Sequence, residues 1–205
     1  MRIFLIMINI LVSMLIFGCE GKQELVGQKN VKVTNNKFKN TDVTGLEYAK
    51  DFVLTDHTGK TRTLADFKGK VVLIFFGYTQ CPDVCPTTMA EMAAVMGELG
   101  PLADKVQVLF VTVDPQRDTP ELLSQYVPTF DSRFLGLFGD QAATEKITKE
   151  FKVFYQKVPG KTPNSYSVDH TAGSYVFDVT GRVRLFVRHG QGTEPIIHDL
   201  KMLMQ

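Results

Sequence analysis

Hydrophobic and polar positions divide the chain into three regimes. Ile3 to Phe17 is almost unbroken apolar sequence, interrupted only by Asn9 and Ser13 and preceded by Arg2. From Glu20 to Gly45 the apolar residues scatter with no period of 2 or 3.6 while Lys, Asn and Gln dominate, which predicts a solvated tether. From residue 46 onward, apolar runs alternate with helical periodicity. Asp51–Thr55 and Thr61–Leu64 flank a polar turn, Asp56 to Lys60, and predict an N-terminal β-hairpin. Val71–Tyr78 is a continuous apolar run of the kind covered on both faces of a sheet, and Val106–Val113 reads as a second buried strand. Between them Met89, Met92, Met96 and Leu99 recur at helical spacing, so Pro86–Leu99 reads as a helix ended by Gly100 and Pro101.

Later segments continue the alternation. Asp118, with Pro120 and Glu121 following, predicts an N-cap and a helix faced by Leu122, Leu123, Tyr126 and Val127. Asp140 caps another helix, and Thr193 caps a last one. Val153–Lys157 reads as a short strand and Pro159–Ser167 as a polar loop. Ser174–Asp178 and Arg182–Arg188 read as a second hairpin. The expected fold class is α/β, one domain over residues 46–205, with a mixed central sheet, helices on both faces and an N-terminal β-hairpin.

Composition changes this picture little. The chain has 205 residues, 44% hydrophobic and 22% charged, with a net charge of +1. Those fractions belong to an ordinary globular protein and exclude a disordered or polytopic membrane chain. A balanced charge supplies no basic field, so no nucleic-acid partner is expected. The apolar N-terminal segment is short for a bilayer span, which needs about 20 residues. Residues 1–18 therefore read as a secretory signal. Ile16-Phe17-Gly18-Cys19 resembles a bacterial lipobox, with Phe17 bulkier than that position usually holds. Cys19 is then the lipidated first residue of the mature chain, and residues 19–45 its tether. The domain is expected to be extracytoplasmic, on the periplasmic side, and held to the membrane by the lipid anchor.

The remaining cysteines carry the candidate chemistry. Cys81 and Cys85 follow a buried strand and lead at once into a helix, with Pro86 well placed at its first position. The orphan N–H groups and positive dipole of that helix start favour thiolates. A disulfide closing so small a loop would stabilise little. The three-residue spacer differs from the C-x-x-C of ordinary redox sites and favours two sulfurs acting together as soft ligands. Among the histidines, His57 lies in a turn, His189 at a strand end and His198 on the last helix, all expected at solvated positions. His170, between the polar loop and a strand, is the candidate third ligand. Two thiolates and one imidazole fall short of the four ligands of structural zinc and suit copper, as Cu(I) or Cu(II). Asp114 and Asp118 follow the second buried strand, at the end of the sheet where ligands bind. Carboxylates are hard ligands, so both are assigned to supporting the site or docking a partner. Helical spacing assigns Met89, Met92 and Met96 to core packing.

Three segments together, GYTQCPDVCP at Gly77–Pro86, DPQRDTP at Asp114–Pro120 and YSVDHT at Tyr166–Thr171, resemble the Sco/SenC family. The resemblance covers about residues 46 to 205 and implies a thioredoxin-like fold. It implies a membrane-tethered, extracytoplasmic copper chaperone that assists assembly of the binuclear copper site in subunit II of cytochrome c oxidase. By this match Cys81 and Cys85 are thiolate ligands, His170 is the imidazole ligand, and Asp114 and Asp118 serve partner recognition or site geometry. Gln80 stands where many members carry His. A copper donor and a thiol reductant are implied partners, because a Cys81–Cys85 disulfide would abolish the site. Two other readings compete. A thiol–disulfide oxidoreductase that keeps the target cysteines reduced needs only the cysteine pair. A peroxide-reducing enzyme needs a polarising group, for which Arg117 is the one nearby cation.

Overall fold

Val71–Gly77 and Val106–Thr112 lie side by side at the centre of a sheet, in a computed structural model that describes residues 37–205. Cys19 and the proposed signal fall outside the described residues. The elements are β1 (Thr41–Asp42), β2 (Leu54–Asp56), β3 (Thr61–Arg62), β4 (Val71–Gly77), α1 (Val84–Leu99), β5 (Val106–Thr112) and α2 (Pro120–Tyr126). They continue as β6 (Leu135–Phe138), α3 (Gln141–Glu150), β7 (Tyr155–Pro159), β8 (Tyr166–His170), β9 (Ser174–Phe177), β10 (Val183–Val187) and α4 (Thr193–Leu203). The main sheet runs β1-β10-β9-β4-β5-β6-β2-β3. β4, β5 and β6 are parallel and the other pairings are antiparallel.

Every residue of β4 and β5 is buried, Gln107 and Thr112 included, as befits strands covered on both faces. Alternation along the strands sorts the core. Phe75 and Phe110 are partners in register on the face where α1 begins, and Phe110 meets Tyr126 of α2 there. Phe76 points the other way, to Phe151 at the end of α3, and Phe177 and Tyr175 join it there. Helices thus cover both faces, with α1 packed against α4. Met89, Met92 and Met96 are buried in this core. The N-terminal hairpin forms, as β2 and β3 at one sheet edge.

Four expectations are corrected. Ordered structure reaches into the stretch read as tether: β1 pairs with β10 through Thr41↔Phe186, and the segment before it is clasped by α4. Pro159–Ser167 is not wholly loop, because β7 and β8 form a separate antiparallel ribbon with Tyr155↔His170 and Pro159↔Tyr166 in register. Asp118 does not cap α2. Thr119 does, accepting from the Leu122 N–H, while Asp118 turns inward. Helix α4 begins at Thr193 and takes Gly192 as its N-cap.

The clasp centres on Asp199, which is buried on α4 and accepts from the Lys39 N–H at 2.9 Å and the Asn40 N–H at 2.8 Å. The Asn40 side-chain amide donates to it at 2.9 Å, and the His198 ring lies 2.7 Å away. Burial alone would raise the Asp199 pKa, but those contacts hold it below the ordinary carboxylate value. The clasp is therefore at full strength above that ordinary value and is lost as pH falls through the depressed one. Replacing Asp199→Ala is expected to cost about 2–3 kcal/mol in urea denaturation, since buried N–H groups are left unpaired. Amide exchange at residues 39 to 42 should accelerate in the same variant.

Candidate metal centre

The site forms at the C-terminal ends of β4 and β5, the ligand-bearing end of a parallel sheet. β4 delivers the chain to Gly77, and the loop Tyr78–Asp83 leads into α1. Cys85 lies in the first turn of α1 and is fully buried, whereas Cys81 in the loop is half-buried. The Cys85 N–H points at Cys81 Sγ, 3.4 Å away. Gly77 makes the space, because a Cβ there would lie 2.9 Å from Cys85 Sγ and from the Phe75 and Phe110 rings. Any larger residue would displace the sulfur or both rings.

The third group arrives from the other ribbon. His170 ends β8, and its Nε2 lies 3.3 Å from Cys85 Sγ. Its Nδ1 sits 3.0 Å from the Thr171 carbonyl oxygen, which can only accept, so Nδ1 carries the proton. That leaves the Nε2 lone pair facing the sulfur. Phe75 and Tyr78 hold the ring edge-on, with centroids 6.0 and 5.9 Å away. Donor atoms of Cys81, Cys85 and His170 all lie within 4.8 Å of one another, the one such cluster of metal-ligating side chains among the described residues.

Burial dominates the electrostatics. It pushes the Cys85 thiol well above its ordinary value, against the backbone hydrogen bond at Tyr78 that favours thiolate. The expectation that the helix start would keep Cys85 ionised is thus corrected: desolvation outweighs the dipole. Burial likewise lowers the His170 pKa, with the Thr171 carbonyl and Asp169 opposing, so the ring is neutral. Both shifts favour a protonated thiol donating to a neutral imidazole. A soft cation that displaces the thiol protons would meet two sulfurs and one nitrogen already converged.

Asp114 and Asp118 lie outside the Cys81–Cys85–His170 cluster. Asp118 is buried and accepts from the Thr79 N–H, from the Thr79 hydroxyl at 2.6 Å and from the Thr112 hydroxyl at 2.6 Å. It ties the start of the cysteine loop to the end of β5. Burial raises its pKa despite those bonds. Asp114, also buried, pairs with Arg117 and accepts from the Tyr166 hydroxyl at 2.9 Å. Arg117, the cation considered for a peroxidase reading, is engaged by Asp114 through Nε, while its Nη2 is buried without a partner. Of the other histidines, His57 is not a solvated turn residue: its Nδ1 accepts from the Gly136 N–H at 3.0 Å and burial lowers its pKa. His189 meets the Thr88 hydroxyl at 2.9 Å, and His198 faces Asp199. Gly77 and Tyr78 were not singled out from sequence, although both lie inside the cysteine motif. Their proximity to the sulfurs and the ring depends on the fold.

A sequence model of the SCO1/SenC family matches residues 40–205. The bovine mitochondrial SCO2 homologue is 35% identical over 156 residues, which is 75% of this chain and 59% of that protein. The chain therefore spans under two thirds of that relative's length. ScoI from Bradyrhizobium japonicum, solved with copper bound, is 43% identical with a TM-score of 0.69, covering 75% of this chain and 97% of that one. BsSco, a member of the Sco family of cytochrome c oxidase assembly proteins in which a disulfide switch was identified, is 25% identical with a TM-score of 0.59. That match covers 81% of this chain and 95% of BsSco.

The two thiols should differ sharply in reactivity. With the metal-free protein at neutral pH, iodoacetamide is expected to modify Cys81 at least about ten-fold faster than Cys85, whose sulfur is both inaccessible and held protonated. A mass-spectrometric time course of the two peptides measures the ratio, and equal rates would contradict the burial described.

Proposed function

The chain belongs to the SCO1/SenC family, and from that premise we propose that it binds copper through Cys81, Cys85 and His170 and serves cytochrome c oxidase assembly. The observation that carries this reading is the imidazole lone pair of His170 directed at the buried sulfur, 3.3 Å away. Dithiol chemistry alone has no need of that ring. The copper-bound state of the Bradyrhizobium relative supports the same choice of cargo. On this reading Cys81 and Cys85 lose their protons as copper is taken up, and His170 binds without losing one. A recipient whose own thiolates replace these ligands one at a time then receives the ion. The recipient we propose is the binuclear copper site of oxidase subunit II. The chain works outside the cytoplasm, tethered through lipidated Cys19, with a copper donor and a thiol reductant upstream. No helix among the described residues is long and apolar enough to cross a membrane.

A second reading has its own support in the proximity of two free thiols and in the disulfide switch of BsSco. The dithiol would pass two electrons to a disulfide of its target and become a disulfide itself. Substitution of the histidine separates the two.

Titration of the reduced protein should give one copper per chain. His170→Ala is expected to weaken binding by about 100-fold or more, beyond the 10–100-fold lost with a residue that only orients a ligand. Thiol–disulfide exchange at Cys81 should persist in that variant. Unchanged copper affinity would remove the ring from the site. Because uptake displaces thiol protons, apparent affinity should rise with pH, by about ten-fold per unit for each proton displaced, and weaken in acid. A competition titration against a copper chelator across pH reads the slope.

A further inference from the structure

The ribbon that carries His170 pairs with no strand of the main sheet, so the sheet's hydrogen-bond ladders do not set the position of the ring. Something else must hold β8 over the cysteine loop. Alternation along β8 turns Tyr166, Val168 and His170 to the same face, and Val168 is buried there. At the Tyr166 end, Arg117 from the β5–α2 loop reaches across. Its Nη1 donates to the Tyr166 carbonyl oxygen at 2.8 Å and to Gln80 Oε1 at 3.3 Å. Its guanidinium carbon lies 3.6 Å from the centroid of the Tyr166 ring and 5.6 Å from that of Tyr78. Nε donates to the buried Asp114 carboxylate, which also accepts from the Tyr166 hydroxyl. One side chain thus touches the residue preceding Cys81 and the strand that ends in His170.

We propose that Arg117 is a positioning residue: a latch, seated on Asp114, that clips the His170 ribbon to the cysteine loop and thereby sets whether the site has three ligands or two. The proposal rests on the copper reading above and goes beyond it by naming what controls the third ligand. With the latch closed, the ring stays over Cys85. With Arg117 withdrawn, by mutation or by a partner that competes for it, the ribbon keeps at Tyr166 only the hydroxyl bond to Asp114 and the Lys157 contact, its link to the cysteine loop is lost, and the ring is free to leave the sulfurs, which stay in place on α1 and its loop. Copper held by two sulfurs alone then departs faster. The role demands arginine. A lysine has a single charged head and cannot serve Asp114, the Tyr166 carbonyl and the Tyr166 ring face at once. Lys157 already lies 3.8 Å from Asp114, so the buried carboxylate keeps a cation nearby when Arg117 is replaced.

The test compares the full-length protein as wild type, Arg117→Met, Arg117→Lys, His170→Ala and the double variant of Arg117→Met with His170→Ala. Two rates are read: copper(I) release to excess chelator, and iodoacetamide modification of Cys85 relative to Cys81 in the metal-free protein. Both Arg117 variants are expected to release copper about ten-fold faster, the scale of losing charge-assisted hydrogen bonds, and to raise the relative rate at Cys85. In the His170→Ala background, Arg117→Met should add less than about two-fold, because the latch acts through the ring. Wild-type rates in both Arg117 variants would overturn the proposal. So would an effect of Arg117→Met that is undiminished without the ring, since that describes general loosening. Should Arg117→Met fail to reach the native circular dichroism spectrum, Arg117→Lys decides. If the wild type takes up no copper, the proposed function fails, while the Cys85 modification ratio still decides the latch.

Discussion

Contact between the Cys85 sulfur and the His170 imidazole joins two parts of the chain 85 residues apart, and most of the surrounding structure serves it. The sulfur is out of water and held protonated, while the ring is out of water and held neutral. Neither state arises from the local sequence around its own residue. Both follow from packing the helix start of α1 and the end of β8 over the same corner of the sheet. Desolvation makes this pair safe at rest, because a buried thiol is a poor nucleophile and a poor target for oxidation. It also makes the pair responsive, since a cation that replaces the thiol protons meets donors already in place.

Room for the contact comes from subtraction and support together. Gly77 withholds a side chain where Cys85 Sγ, Phe75 and Phe110 converge. Phe75 and Tyr78 limit the ring's orientations, and the Thr171 carbonyl fixes its tautomer. Two buried carboxylates then take different tasks. Asp118 secures the cysteine loop through Thr79, and Asp114 seats Arg117 against the histidine ribbon. The division of labour between the two acids is visible only in three dimensions.

Much of this was legible in the residues alone. Val71–Gly77 and Val106–Thr112 had to be central because no polar residue offered a wet face, apart from Gln107 and Thr112. The methionine spacing of α1 and the hairpin around Asp56–Lys60 followed from elementary patterning. What stayed hidden shares a cause. Val153–Lys157 already reads as a short strand, but β8 buries little apart from Val168, so its polar start reads as loop although Tyr166, Val168 and His170 alternate. Asp118, two residues before Pro120, carries a strong local cap signal. Thr119 competed for that position, and burial against Thr79 and Thr112 decided the outcome. The helix start that favours a Cys85 thiolate is visible in sequence, and the desolvation that outweighs it is not. Asn40 lay in a lysine-rich stretch, and only Asp199, far along the chain, reveals that it is anchored.

The central claim is that two sulfurs and one imidazole nitrogen form a single site for copper. X-ray absorption at the copper edge, on protein loaded with one equivalent, reads the ligand shell directly. The account predicts two sulfur scatterers and one nitrogen bearing the outer-shell signature of a histidine ring, with that signature gone in His170→Ala. A shell of sulfur alone in the wild type, or one of oxygen and nitrogen without sulfur, would contradict it.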